Sequence, residues 1–299
     1  MMSKTEYRTL PFVLVDVFTR EPLSGNGLSI FLHDAPISTR AMQRITQEMR
    51  QFESIFLQRV GDTNRFDTRI FTMEQELPFA GHPIIGAAAY LHHALSPRQA
   101  AGQFIFATPR HLIETSTSYA DGVLVAEMDQ GEAEIHAPVP RERYYAVLEA
   151  LNLLTTDIAP GLPMQVISTG LPYLIVPLQS GLERAAIVDR EFESLLANVG
   201  AQFVYVLDVK NREGRTWDND GRVEDIATGS AAGPAAAYLV KHGMAVAGQT
   251  IVLKQGRFLG RHSELQVEIS GSESLSAKVR GQVCIIGGGN LSLPESHLV

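Results

Sequence analysis

The chain has 299 residues, 45% hydrophobic and 19% charged, a balance that supports a packed core and excludes disordered, collagen-like and coiled-coil chains. Its 25 Lys and Arg against 33 Asp and Glu leave a formal charge of −8 with no basic stripe, so nucleic acid is not an expected partner. The single cysteine, Cys284, excludes an internal disulfide, a cysteine-rich zinc site and the two opposed thiol bases of a two-cysteine racemase.

Short β-branched and aromatic runs bounded by turn residues predict strands at 12–18 (FVLVDVF), 28–32 (LSIFL), 55–60 (IFLQRV) and 69–72 (RIFT). Between the second and third, Met42, Ile45, Met49 and Phe52 recur at helical spacing. They predict an amphipathic helix over 39–52 with Ser38 as its N-cap. Later strands are expected at 123–128, 164–169, 173–178, 203–209, 250–254, 265–270 and 283–287. Strands outnumber helices, and many are joined by short turns containing Gly or Asn. That pattern favours a largely antiparallel α+β fold over a doubly wound parallel one.

A repeat organises these elements. Gly81 opens GHPIIGAAAYL and Gly229 opens GSAAGPAAAYL, almost half the chain apart. A glutamate, Glu76 or Glu224, precedes each glycine at the same distance. The expectation is two pseudo-symmetric halves, 1–130 and 131–299, each a mainly antiparallel curved sheet around one central helix. Helices this rich in alanine and lacking a polar face are buried, and their lack of bulk lets a sheet approach closely. Pro83 suits a first turn, and Thr228 or Ser230 is a candidate cap for the second helix.

Residues 1–20 lack the apolar core and cleavage site of a secretory signal, and no run approaches the ~18–20 apolar residues of a membrane helix. A cytoplasmic protein without a membrane partner is expected. Helix starts opened by glycine offer free backbone N–H groups and a positive dipole end, suited to a carboxylate or phosphate. Polar candidates beside them are His82, Asp225 and Ser230, with Glu53 at the junction between the amphipathic helix and an apolar strand. His92 and His93 read as the polar end of a buried helix, and DNDG (218–221) as a turn. Cys284 reads as a buried small hydrophobe.

Taken together, VDVFTREPLSGN (15–26), QFESIFL (51–57), ELPFAGHPIIGAA (76–88) and EDIATGSAAG (224–233) resemble the phenazine-biosynthesis PhzF-like isomerases, which share the diaminopimelate epimerase and proline racemase fold. The resemblance implies two half-barrels with the active site between them, a last strand that can cross back to the first half, and a homodimer. It places Glu53 as the catalytic acid/base, with His82 and Asp225 as its polar partners. Gly81, Gly229 and Ser230 match substrate-binding positions, as does Asn26 of the early Gly-Asn motif. The implied reaction is a cofactor- and metal-free proton shift in a small cyclic carboxylate, trans-2,3-dihydro-3-hydroxyanthranilate or a related compound. Three positions depart from the family pattern: Gly27 replaces a proline, Phe52 a small polar residue, and Ile226 another proline. They reshape the pocket and leave the substrate open. The alternative reading is a non-catalytic ligand-binding or partner protein that kept the fold.

Overall fold

A computed structural model describes residues 7–109 and 112–298. The chain divides into two compact units, Met1–Met128 with Gly281–Val299, and Asp129–Arg280. In chain order the elements are β1 (Tyr7–Val17), β2 (Asn26–Leu32), α1 (Thr39–Met49), β3 (Glu53–Arg59), β4 (Arg65–Thr72), β5 (Glu76–Leu77), α2 (Gly81–Leu95), β6 (Ala101–Ala107), β7 (Leu112–Ala120) and β8 (Val123–Glu132). They continue with β9 (Glu134–Pro138), α3 (Tyr144–Ala150), β10 (Gln165–Ser168), β11 (Pro172–Leu178), α4 (Phe192–Ala197), β12 (Phe203–Asp208), β13 (Glu213–Arg215), α5 (Gly229–Lys241), β14 (Thr250–Gln255), β15 (Ser263–Ser270) and β16 (Ser276–Pro294).

In the first unit the strand order is β1-β2-β3-β4-β6-β7-β8-β16, and β16 pairs again with β1. The expected curved sheet is therefore a closed eight-stranded barrel. Closure requires β16 to run far beyond the expected 283–287. It pairs with β15 through its first residues and with β1 from Val283 to Pro294. Most pairings are antiparallel, but β2–β3 and β4–β6 are parallel. Helix α2 packs against β1, β2, β3, β6 and β7 and is buried on every side, so it fills the barrel. Its small residues make that possible. A Cβ on Gly86 would lie 2.7 Å from Leu28 and 2.9 Å from Val17.

In the second unit the order runs β16-β15-β14-β13-β12-β11-β10-β9. Helix α5 packs on β10, β11, β12, β14 and β15. Leu174, Val176, Val204 and Val206 turn instead to a core shared with α3 and α4, with Val147, Leu148, Phe192 and Leu196. Thus α5 and the α3–α4 pair cover opposite faces.

The repeated glutamates have matching partners. Arg69 donates to both oxygens of Glu76, at 2.7 and 2.6 Å, and lies over the Phe71 ring. Arg215 donates to both oxygens of Glu224, at 2.8 and 2.6 Å, and lies over Trp217 and Phe258. Each central helix is thus preceded by a bidentate Arg–Glu clamp stacked on the aromatic residue two places after the arginine.

Several expectations need correction. Helix α1 ends at Met49, not at 52, because Arg50 turns left-handed (φ 58°) and bonds back to Thr46 O. The chain must then be extended for Glu53 to open β3. Ser38 does cap α1, accepting from Ala41 N–H at 3.3 Å. Neither Thr228 nor Ser230 caps α5 through its side chain. Cys284 is only part-buried, its Sγ 3.6 Å from Thr19 O. Among the described residues no helix is long and apolar enough to cross a membrane.

Candidate functional site

Glu53 is the first residue of β3, flanked by Leu28 on β2 and Thr72 on β4. A carboxylate at an element junction would ordinarily face solvent. Here the early end of α1 places it inside the sheet, 5% exposed. His82, the second residue of α2, is equally buried, and its Nδ1 lies 3.2 Å from Glu53 Oε2. Asn26, the first residue of β2, brings Nδ2 to 3.3 Å from the same Nδ1. Burial pushes the His82 imidazolium pKa down to about 3, against a smaller opposing effect of the Gly27 backbone. His82 is therefore a neutral imidazole throughout the neutral range.

Two glycines make room for Asn26. Gly25 is left-handed (φ 63°), and a Cβ there would lie 2.4 Å from Val17 O. At Gly27 a Cβ would meet Gln51 Oε1 at 2.3 Å. This explains the departure at 27 locally: a proline ring there would collide with the Gln51 side chain. Phe52, the second departure, sets its ring 6.4 Å from the His82 ring.

The second unit holds the remaining candidates. Asp225 is buried; its Oδ2 accepts the Thr228 hydroxyl at 2.5 Å, and its Oδ1 faces Ala227 N–H at 3.4 Å. Gly229 and Ser230 open α5. Ser230 Oγ lies 2.8 Å from the Tyr173 hydroxyl, and Gln130 Nε2 donates to Gly229 O at 2.8 Å. The structure therefore brings Glu53, His82 and Asn26 into one cluster, with Gly81 one residue from His82. It brings Asp225, Ser230 and Gly229 to the start of α5.

Sequence reasoning missed Gln255, Tyr173 and Gln130. Gln255 carried a signal: it continues the buried alternation Ile251, Leu253, Gln255 of β14, where an apolar residue belongs. Tyr173 and Gln130 sit in ordinary strand patterns and carried none. His92 is spoken for by Thr117 Oγ1 at 2.7 Å and Gln99 O at 2.9 Å, as its position at a buried helix end suggested. Among the described residues, no three His, Cys, Asp or Glu side chains gather as a metal site.

The family profile described as phenazine biosynthesis-like protein matches residues 15–289. The chain belongs to this PhzF family. It is 31% identical to the trans-2,3-dihydro-3-hydroxyanthranilate isomerase of Pseudomonas aeruginosa, over 89% of this chain and 93% of that protein. It is 30% identical to an uncharacterised isomerase of Salmonella typhimurium, over 91% and 95%. Among solved structures, a predicted epimerase of Pseudomonas aeruginosa is 45% identical with a TM-score of 0.88, covering 94% of this chain and 99% of that one. A protein of Agrobacterium radiobacter described as a probable proline racemase, 13% identical with a TM-score of 0.61, shares the fold. PhzF relatives bear isomerase and epimerase names, which supports an isomerase-type enzyme here.

Proposed function

We propose that this PhzF-family protein is a cofactor-independent isomerase that moves a proton within a small, cyclic, carboxylate-bearing substrate, with Glu53 as the acid/base. The observation that carries the reading is a buried Glu53 whose Oε2 lies 3.2 Å from His82, an imidazole that burial keeps neutral. A carbon acid needs a base that takes a proton and returns it at another atom. An imidazolium beside Glu53 would bind the carboxylate as an ion pair and weaken it as a base. A neutral imidazole does not. Asn26 Nδ2 only donates, so Nδ1 acts as the acceptor and the ring proton sits on Nε2, which leaves an uncharged acceptor beside the glutamate's own proton. Glu53 thus sits beside a neutral group in both halves of a proton shuttle.

His82 is assigned to this support, and Asn26 to orienting the imidazole through its 3.3 Å contact. Asp225, Ser230 and the helix-opening backbone N–H groups of Gly81 and Gly229 are assigned to the substrate's amine and carboxylate. Trans-2,3-dihydro-3-hydroxyanthranilate, the compound named for the Pseudomonas aeruginosa relative, is the first substrate to try. The site is expected to work in a cytoplasmic homodimer, which light scattering of the purified protein checks.

The test is solvent deuterium incorporation into that compound and related cyclic amino acids, followed by NMR. Wild type should incorporate deuterium, and Glu53→Gln should slow incorporation by about 10²–10⁴-fold. Equal incorporation by both proteins overturns the role of Glu53. Binding without exchange by wild type, across the whole panel, favours the non-catalytic reading.

A further inference from the structure

Asp225 belongs to a network in which every donor and acceptor is fixed by the backbone. The Gln255 side-chain amide meets the Thr228 backbone N–H at 3.2 Å and the Asp225 backbone carbonyl at 2.7 Å. An N–H only donates and a carbonyl only accepts, so the first amide atom is Oε1 and the second is Nε2. Nε2 also lies 2.9 Å from Thr228 Oγ1 and donates to it. The Thr228 hydroxyl then has one proton left to place in a buried setting. Among the described residues its other partner is Asp225 Oδ2, at 2.5 Å. The polarity runs one way, from Gln255 N–H to Thr228 O–H to the Asp225 oxygen.

We infer that Gln255 and Thr228 are positioning residues that hold Asp225 as an ionised carboxylate in one orientation, ready to accept from an ammonium, amine or hydroxyl group of the substrate. The substrate half of this statement rests on the proposed role of Asp225. A proton on Oδ2 would turn that oxygen from acceptor to donor and leave the Thr228 hydroxyl without an acceptor. The backbone around Asp225 is held as firmly as its side chain. Its N–H donates to Thr216 O at 3.0 Å, and Glu224 beside it pairs with Trp217 across the turn. Of the charged and titratable groups nearby, Arg215 on β13 and Glu224 are engaged with each other. The phenol of Tyr205 on β12 is buried, and burial with the neighbouring Asp225 raises its pKa above the ordinary range, so it stays neutral.

The experiment is a ¹³C NMR titration of protein labelled at aspartate Cγ, with the Asp225 line assigned by its loss in Asp225→Asn. Thr228→Val removes the hydroxyl at nearly constant volume and should raise the Asp225 midpoint by about one pH unit. Thr228→Ser restores the donor and should return the wild-type midpoint. Gln255→Leu frees the hydroxyl to turn and should raise the midpoint by a smaller amount, which carries the test if Thr228→Val does not fold. Midpoints unchanged from wild type in whichever of Thr228→Val and Gln255→Leu fold overturn the inference. The titration needs no substrate. Shifted midpoints without deuterium exchange therefore sink only the isomerase reading, and exchange with unshifted midpoints sinks only this one.

Discussion

The two Arg–Glu clamps have matching geometry but different surroundings, and this predicts different energetic weights. In the Arg215–Glu224 pair the side chains are 10% and 8% exposed; in Arg69–Glu76 they are 31% and 29% exposed. Glu224→Gln leaves the Arg215 cation buried without its counter-ion, a loss that for buried pairs costs about 3–5 kcal/mol. Arg215 Nη1 still donates to the carbonyls of Leu182 and Ala185, both at 2.9 Å, which holds the expected cost to about 3 kcal/mol. Glu76→Gln leaves Arg69 in partial contact with water and with Thr39 Oγ1 at 2.9 Å, so the cost should be about 1 kcal/mol or less. Urea unfolding followed by circular dichroism measures both. Replacing the inner pair by Arg215→Met with Glu224→Leu should not restore wild-type stability. It removes the charge imbalance but takes the Arg215 donor from the Ala185 carbonyl, leaving a deficit of about 1 kcal/mol or more. A cost for Glu76→Gln equal to or above that for Glu224→Gln would refute this reasoning.

Three further outcomes follow from single positions. His82 has its pKa lowered from 6.5 to about 3, so between those values the unfolded chain binds a proton that the folded chain does not. Its contribution is complete above pH 6.5 and is lost as pH falls, by up to about 1.4 kcal/mol per pH unit. Wild type should therefore lose stability faster than His82→Asn between pH 6.5 and 4.5 in urea titrations, and parallel curves would contradict it. Arg50 is exposed and left-handed, so Arg50→Gly should be neutral or stabilising by up to about 1 kcal/mol, read as an unchanged or raised Tm. A Cβ at Gly233 would lie 2.1 Å from Gln130 Oε1, so Gly233→Ala must displace the amide that holds Gly229 O and Thr169 Oγ1. A loss of about 1–3 kcal/mol is expected in the same denaturation assay, and an unchanged midpoint would count against this role for Gln130.

The sequence made the central helices legible because alanine runs opened by glycine are rare and their spacing kept register with Glu76 and Glu224. The arginines that answer those glutamates were hidden, since Arg69 and Arg215 sit in strands where an arginine reads as a solvent-facing residue. Strand β7 was missed for a related reason. Its inward positions include Thr115 and Thr117, polar residues whose hydroxyls meet Phe104 O and His92 inside the barrel. Periodicity sees polarity, and it cannot see that a partner is waiting. The extent of α1 failed differently: Phe52 continues the helical spacing, but backbone pairing of Glu53 on both sides requires an extended chain there. The solitary cysteine was informative through what it excluded, because it left carboxylates as the groups to examine.

Those carboxylates are not equivalent, and their neighbours explain the roles assigned to them. Glu53 faces Nδ1 of a neutral imidazole, which accepts from the Asn26 amide and so carries no ring proton. That partner carries no charge and does not hold the glutamate in its ionised form. Asp225 faces a hydroxyl that accepts from Gln255 and whose own proton finds no other acceptor among the described residues. That partner favours the carboxylate alone. Two acidic groups whose surroundings differ in this way separate naturally into a proton carrier and a fixed acceptor. Removing the imidazole by His82→Leu should therefore slow deuterium exchange even though the glutamate is intact. Undiminished exchange in that variant would show that Glu53 does not depend on the imidazole.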